Sequence, residues 1–160
     1  MKPYIFLTAA LVFLAGCTGI PDSSTKQDSA PSIFPDYTDV VIPSNIAPLN
    51  FRIEEKGQKY VTVLTGGTEK VVIRGEKVII PSRKWNKLKQ NSKIGVQVFV
   101  CNDGKWNSYR EFGISVSDMI DPYIAYRLIM PSVESYERLS INQRDITSFD
   151  EKVIYANQMV

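Results

Sequence analysis

The chain is 160 residues long, 44% apolar and 22% charged, with 19 basic and 17 acidic side chains and a net charge of +2. That composition fits one globular domain, and its charge is too balanced for nucleic acid, which selects a basic patch or stripe. The chain contains no histidine, which excludes Ser-His-Asp and Cys-His catalysis, His-ligated metals and His-ligated haem.

The first stretch is a leader. Lys2 supplies a positive start, and residues 5–13 (IFLTAALVF) are an apolar run of signal-peptide length. The run is too short to span a bilayer, which takes about 20 apolar residues. Leu14-Ala15-Gly16-Cys17 follows, with slim side chains beside a cysteine. This is the processing pattern of a bacterial lipoprotein, cut before Cys17. It implies a signal peptide over 1–16, a diacylglyceryl group on Cys17 and a further acyl chain such as palmitate on its amine. Two or more chains make a stable anchor. Thr18 follows the cysteine rather than Asp, which by the Gram-negative sorting rule points to outer-membrane rather than inner-membrane retention, with the domain facing either the periplasm or the cell surface. The expected location is the cell envelope, lipid-anchored.

Residues 17–36 are rich in Ser, Thr, Asp and Pro without an apolar period. They read as a flexible tether, in which Ile33 and Phe34 are the residues best suited to pack on the domain.

From Tyr37 the pattern is that of strands. Leu49, Phe51 and Ile53 alternate with polar residues. Residues 60–64 (YVTVL) and 70–74 (KVVIR) flank Gly66-Gly67, a hairpin signal because glycine accepts positive φ. A further short strand is expected at 77–80. Ser82 is placed to cap a helix over 83–90, with Trp85 and Leu88 on its buried side. Its basic face reads as solvated. Residues 94–101 (IGVQVFVC) form the clearest strand, with Val96, Val98 and Val100 on one face. Asn102-Asp103-Gly104 is a turn, and residues 106–117 return with Phe112, Ile114 and Val116 inward. Short strands at this spacing point to an antiparallel β-sandwich over 37–118.

The last stretch, 119–160, reads as a partly helical docking arm. Residues 124–129 fit a strand or a helical turn, and 132–139 fit a helix capped by Ser132. Tyr123, Tyr126, Leu128, Ile129 and Tyr136 would form an exposed apolar patch, the mark of an interaction site.

Few side chains invite chemistry. Cys101 lies in a β-rich run and reads as a buried, inert thiol. Thr65-Gly66-Gly67-Thr68 lacks the Lys-Ser/Thr ending and following helix of a phosphate loop. Trp85, Trp106 and Tyr109 form a candidate aromatic platform for a glycan, although core packing is the commoner use of such residues. No catalytic, cofactor-binding or metal-binding residue is assigned, and no cofactor is expected.

Three segments carry a family resemblance. Ile33-Phe34-Pro35-Asp36-Tyr37-Thr38-Asp39-Val40-Val41-Ile42-Pro43 is followed by Asn45-Ile46-Ala47-Pro48-Leu49-Asn50-Phe51. Ile120-Asp121-Pro122-Tyr123-Ile124-Ala125-Tyr126-Arg127-Leu128-Ile129 comes next, then Asn142-Gln143-Arg144-Asp145 with Phe149-Asp150-Glu151. Together they resemble the N-terminal region of the Bacteroidetes lipoproteins labelled TolB-like, over almost all of the mature chain. In that family, similar chains run on past an Ile-Tyr-x-Asn segment (Ile154-Tyr155-Ala156-Asn157) into a Cys-x-x-Cys-His haem-type motif and a β-propeller. Val160 precedes both, so no residue of those parts carries over. The resemblance implies either a stand-alone leading module or a truncated remnant of a longer propeller lipoprotein. It also implies an immunoglobulin-like spacer or docking domain.

The expectation is therefore a mainly β protein: an immunoglobulin-like antiparallel sandwich with one short helix and a C-terminal arm. It is not an enzyme. It is held to the membrane by lipid on Cys17 and binds or positions an envelope protein partner, with a glycan-binding module as the alternative.

Overall fold

The computed structural model describes residues 19–129 and 139–157. The leader, Cys17, Tyr136 and the helix expected at 132–139 (apart from Leu139) lie outside the described residues.

The fold is mainly β, with several sheets and one short helix. The strands are β1 (Thr25–Lys26), β2 (Ile33–Phe34), β3 (Val41–Pro43), β4 (Phe51–Ile53), β5 (Lys59–Gly66), β6 (Glu69–Arg74) and β7 (Lys77–Val78). Helix α1 (Ser82–Leu88) follows. The remaining strands are β8 (Lys93–Asn102), β9 (Lys105–Ser108), β10 (Phe112–Ser117), β11 (Tyr123–Leu128), β12 (Ser140–Asp145) and β13 (Glu151–Ala156).

β8 is the spine of a seven-stranded sheet. One of its edges takes β5, which carries β6; the other takes β9 along its C-terminal half and β10 along its N-terminal half. β1 pairs with β9 and β3 with β10, both parallel, so the expected all-antiparallel sandwich has two parallel edges. Three short strands in the order β2-β4-β7 form the facing sheet.

Side-chain alternation fixes which face is buried. Ile94, Val96, Val98 and Val100 of β8, with Leu64, Phe112 and Ile114 beside them, pack against Ile33, Phe51, Ile53 and Val78 of the small sheet. Removing each such side chain from water stabilises the fold by about 1.5–3 kcal/mol. α1 closes one side of this core with Trp85 and Leu88, both fully buried. Its N-cap is Pro81 rather than Ser82, and no side chain caps it. The β5–β6 turn is one residue later than the Gly-Gly pair: Gly66 pairs with Glu69, and Gly67 and Thr68 make the turn. Gly67 carries the positive φ of 56°, in the first central position where a type II′ turn places its glycine.

The flexible-tether reading of residues 17–36 is corrected for the described part, 19–36. Thr25 and Lys26 pair with Asn107 and Ser108. Ser29 accepts from the Arg110 N–H at 2.9 Å, and Ser32 accepts from the Glu54 N–H at 2.9 Å. Ile33 is buried in the core, whereas Phe34 is 62% exposed. The physical reason is that the segment is held by main-chain hydrogen bonds, which its polar composition does not reveal.

The described residues of the arm are strands, which selects the strand alternative for 124–129: β11, β12 and β13 form a three-stranded antiparallel sheet. The sheet hangs from the loop after β3. The Ala47 N–H donates to the Ile146 carbonyl at 2.8 Å, and Ile146 is buried. The Asn45 side chain donates to the Ile120 carbonyl at 2.8 Å and accepts from the Ile120 N–H at 3.3 Å.

Candidate functional site

The aromatic residues grouped as a glycan platform do not share a surface. Trp85 is fully buried, and its indole N–H donates to the Ile46 carbonyl at 3.0 Å. Tyr109 lies between β9 and β10, half-buried against the core. Burial, and after it a hydrogen bond with the Glu55 carboxylate, pushes its phenol up to about 12. Trp106 pairs with Cys101 across β8 and β9, on the face of the large sheet turned away from the core. Cys101 is itself buried, as expected.

The C-terminal sheet is the most conspicuous surface. The register puts Ile124, Tyr126, Leu128, Asn142, Arg144, Glu151 and Val153 on one face, and Tyr123, Ala125, Arg127, Ile141, Gln143 and Tyr155 on the other. Ile124, Leu128 and Val153 are exposed on the first, and Tyr123, Ile141 and Tyr155 on the second. The predicted patch is thus divided: Tyr123 lies opposite Tyr126 and Leu128, because neighbouring residues of a strand alternate sides. Ile141, Val153, Ile154 and Tyr155 belong to the surface but were missed, since polar residues interrupt the pattern along β12.

At the centre of the first face sits Asn142, 1% exposed. Its amide donates to Glu151 Oε1 at 2.8 Å, and Arg144 pairs with the same carboxylate at 3.4 Å. The Tyr126 phenol is held above its ordinary range, chiefly by a hydrogen bond with Glu151. The Asn142 Oδ1 has no partner. A polar residue at this depth pins the register of a small sheet, because a one-residue slip would move Asn142 to the opposite face.

A groove of about 520 Å³ opens at the other end of the molecule, lined by Gly19, Lys59, Val61, Arg74, Glu76 and Trp106 among others. Only Trp106 of these was singled out from the sequence. Gly19, seated against Arg74, forms part of the groove's wall. Among the described residues, no group of three or more Cys, Asp and Glu side chains converges in a way that would hold a metal ion.

The fold and these surfaces define a β-sandwich protein with an appended three-stranded sheet that exposes large apolar side chains on both faces. No family model matches the chain, and no curated protein or solved structure is significantly similar to it.

Proposed function

We propose that this protein is a lipid-anchored, non-catalytic module of the cell envelope that binds or positions a protein partner. The observation that carries the partner half is the C-terminal sheet. It exposes large apolar side chains on both faces, from Tyr123 and Ile124 through Ile154 and Tyr155. Large apolar side chains left exposed together on one small sheet mark interaction sites. The anchor half rests on Leu14-Ala15-Gly16-Cys17. The resemblance to the leading region of TolB-like lipoproteins supports both halves, since a docking surface here would meet the parts that follow in longer members or a separate protein that replaces them.

The test has two arms. Cys17→Ser should abolish acylation, read by intact mass, and release the protein from the membrane fraction. A photo-cross-linking residue at Val153 or Tyr123 should capture a discrete envelope protein in cells, while the same residue at Lys77, on the small sheet, should not. A Cys17→Ser protein that stays membrane-bound sinks the anchor half. Equal, featureless labelling at all three positions sinks the partner half.

A further inference from the structure

Gly19 has a φ of 72° and lies so close to the Arg74 guanidinium that a β-carbon on it would collide with Nη2. Arg74 is on β6, and its cross-strand partner Val61 lies on the outer face of the large sheet. The next fixed point along the chain is Thr25, paired with Asn107 at the far side of β9. Between them lie β5, β8 and β9. Strands are spaced by about 4.8 Å, so the crossing from β6 to β1 is about 19 Å. Gly19 against Arg74 and Thr25 against β9 thus hold both ends of this short segment to the outer face, and the chain bends at residues 19, 20, 22 and 23 between them. Cys17 is two residues before Gly19 in the sequence.

A lipid on Cys17 would enter the bilayer beside this groove. The groove offers what a headgroup layer takes: the cations of Lys59 and Arg74, which outnumber its one carboxylate, Glu76, and the amphipathic indole of Trp106. The C-terminal sheet is at the opposite end of β8. The groove adjoins Cys101, whereas the loop that carries the sheet leaves beside Ser117, next to the Lys93 end. Eight residue steps of β8 separate the two ends by about 26 Å.

We propose that the Gly19–Arg74–Trp106 groove is apposed to the lipid headgroups, so that the sandwich stands upright on the membrane and presents its C-terminal sheet away from it. This rests on the acylation of Cys17 and adds to it a fixed orientation in place of a flexible leash.

The experiment uses the purified full-length acylated protein in phosphatidylethanolamine–phosphatidylglycerol vesicles. Acyl chains carry bromine either near the headgroup or near the chain end, and flotation verifies binding. Shallow bromine should quench tryptophan emission more than deep bromine. The quenching should vanish in Trp106→Phe, because the remaining Trp85 is sealed in the core. A flexible Gly/Ser insertion between Thr18 and Gly19 should leave acylation and flotation intact and abolish the quenching. Lys59→Glu combined with Arg74→Glu should weaken it, with circular dichroism verifying the fold. An acylated, floating protein whose Trp106 emission ignores bromine overturns the orientation alone, as does quenching that survives the insertion. An unacylated Cys17 removes the anchor reading and this inference together.

Discussion

Lys89 lies over the indole of Trp85, its ammonium nitrogen 5.9 Å from the ring centroid, and both side chains donate to the carbonyl of Ile46. The pair ties α1 to the loop that carries the C-terminal sheet. Trp85 supplies the larger share because it is fully buried. Trp85→Ala should cost about 3–5 kcal/mol, as for other large-to-small core changes. Lys89→Met keeps the aliphatic stem and leaves the Ile46 carbonyl bonded to the indole. It should shift stability by no more than about 1 kcal/mol, the size of a partly exposed cation–π contact. Urea unfolding of the two variants measures the ratio.

Thr62 is a different case within the same core. It is fully buried on the inner face, opposite Val98 and Ile73, and its Oγ1 has no hydrogen-bond partner. A buried hydroxyl left unpaired costs about 1–3 kcal/mol. Thr62→Val keeps the shape and removes the polar atom, so it should stabilise the protein by about 1 kcal/mol. A raised urea midpoint at unchanged slope is the expected result. A lowered midpoint would mean that the hydroxyl is bonded in solution.

How much of this was legible in the sequence depends on what each residue type advertises. Val96, Val98 and Val100 announce their face by strict alternation, and all three are fully buried. The turn at Asp103-Gly104 takes positive φ at both positions, 48° and 76°, as its composition implies. The tether was misread because Thr25, Lys26 and Ser29 are held through backbone groups that any side chain carries. In the C-terminal sheet β11 was one of the two readings the sequence offered, whereas β12 was missed because Asn142, Gln143 and Arg144 break its apolar pattern, although Asn142 is the buried one. The aromatic platform failed on spacing in space rather than in sequence. Trp85 shares a helix face with Leu88, a core signal that outweighs its kinship in type with Trp106.

Tyr109 predicts a pH effect whose sign follows from its pKa. Burial and the Glu55 hydrogen bond raise its folded-state value from 10.0 to about 12. Below pH 10 the phenol is protonated in both states, and its contribution is complete. Above that, the unfolded chain releases the proton first, so the folded state holds more protons and stability falls as pH rises toward about 12. Lys89, whose amine burial lowers, titrates with the opposite sign. The quantity to measure is therefore the difference between wild type and Tyr109→Phe. That difference should be flat below pH 10 and decline above it. Absorbance of tyrosinate should show a late-ionising phenol that Tyr109→Phe removes.

Asn142 gives the sharpest test of how the C-terminal sheet holds its shape. It is buried between strands, and its amide is bonded to Glu151 Oε1 at 2.8 Å. Asn142→Asp replaces that donor with a second carboxylate at the same place. Burial and the neighbouring like charge both disfavour its ionised form and raise its pKa. An unpaired buried charge costs about 3–5 kcal/mol, so the variant should lose protection from hydrogen exchange across β11, β12 and β13 at neutral pH. The sandwich should keep its protection, since its core shares no side chain with the Asn142 cluster. Because the new group has a raised folded-state pKa, the penalty should shrink as pH falls and the carboxyl becomes neutral. Exchange measured at two pH values reads this directly. Protection lost equally from β8 and β12 would show that the sheet and the sandwich unfold as one unit.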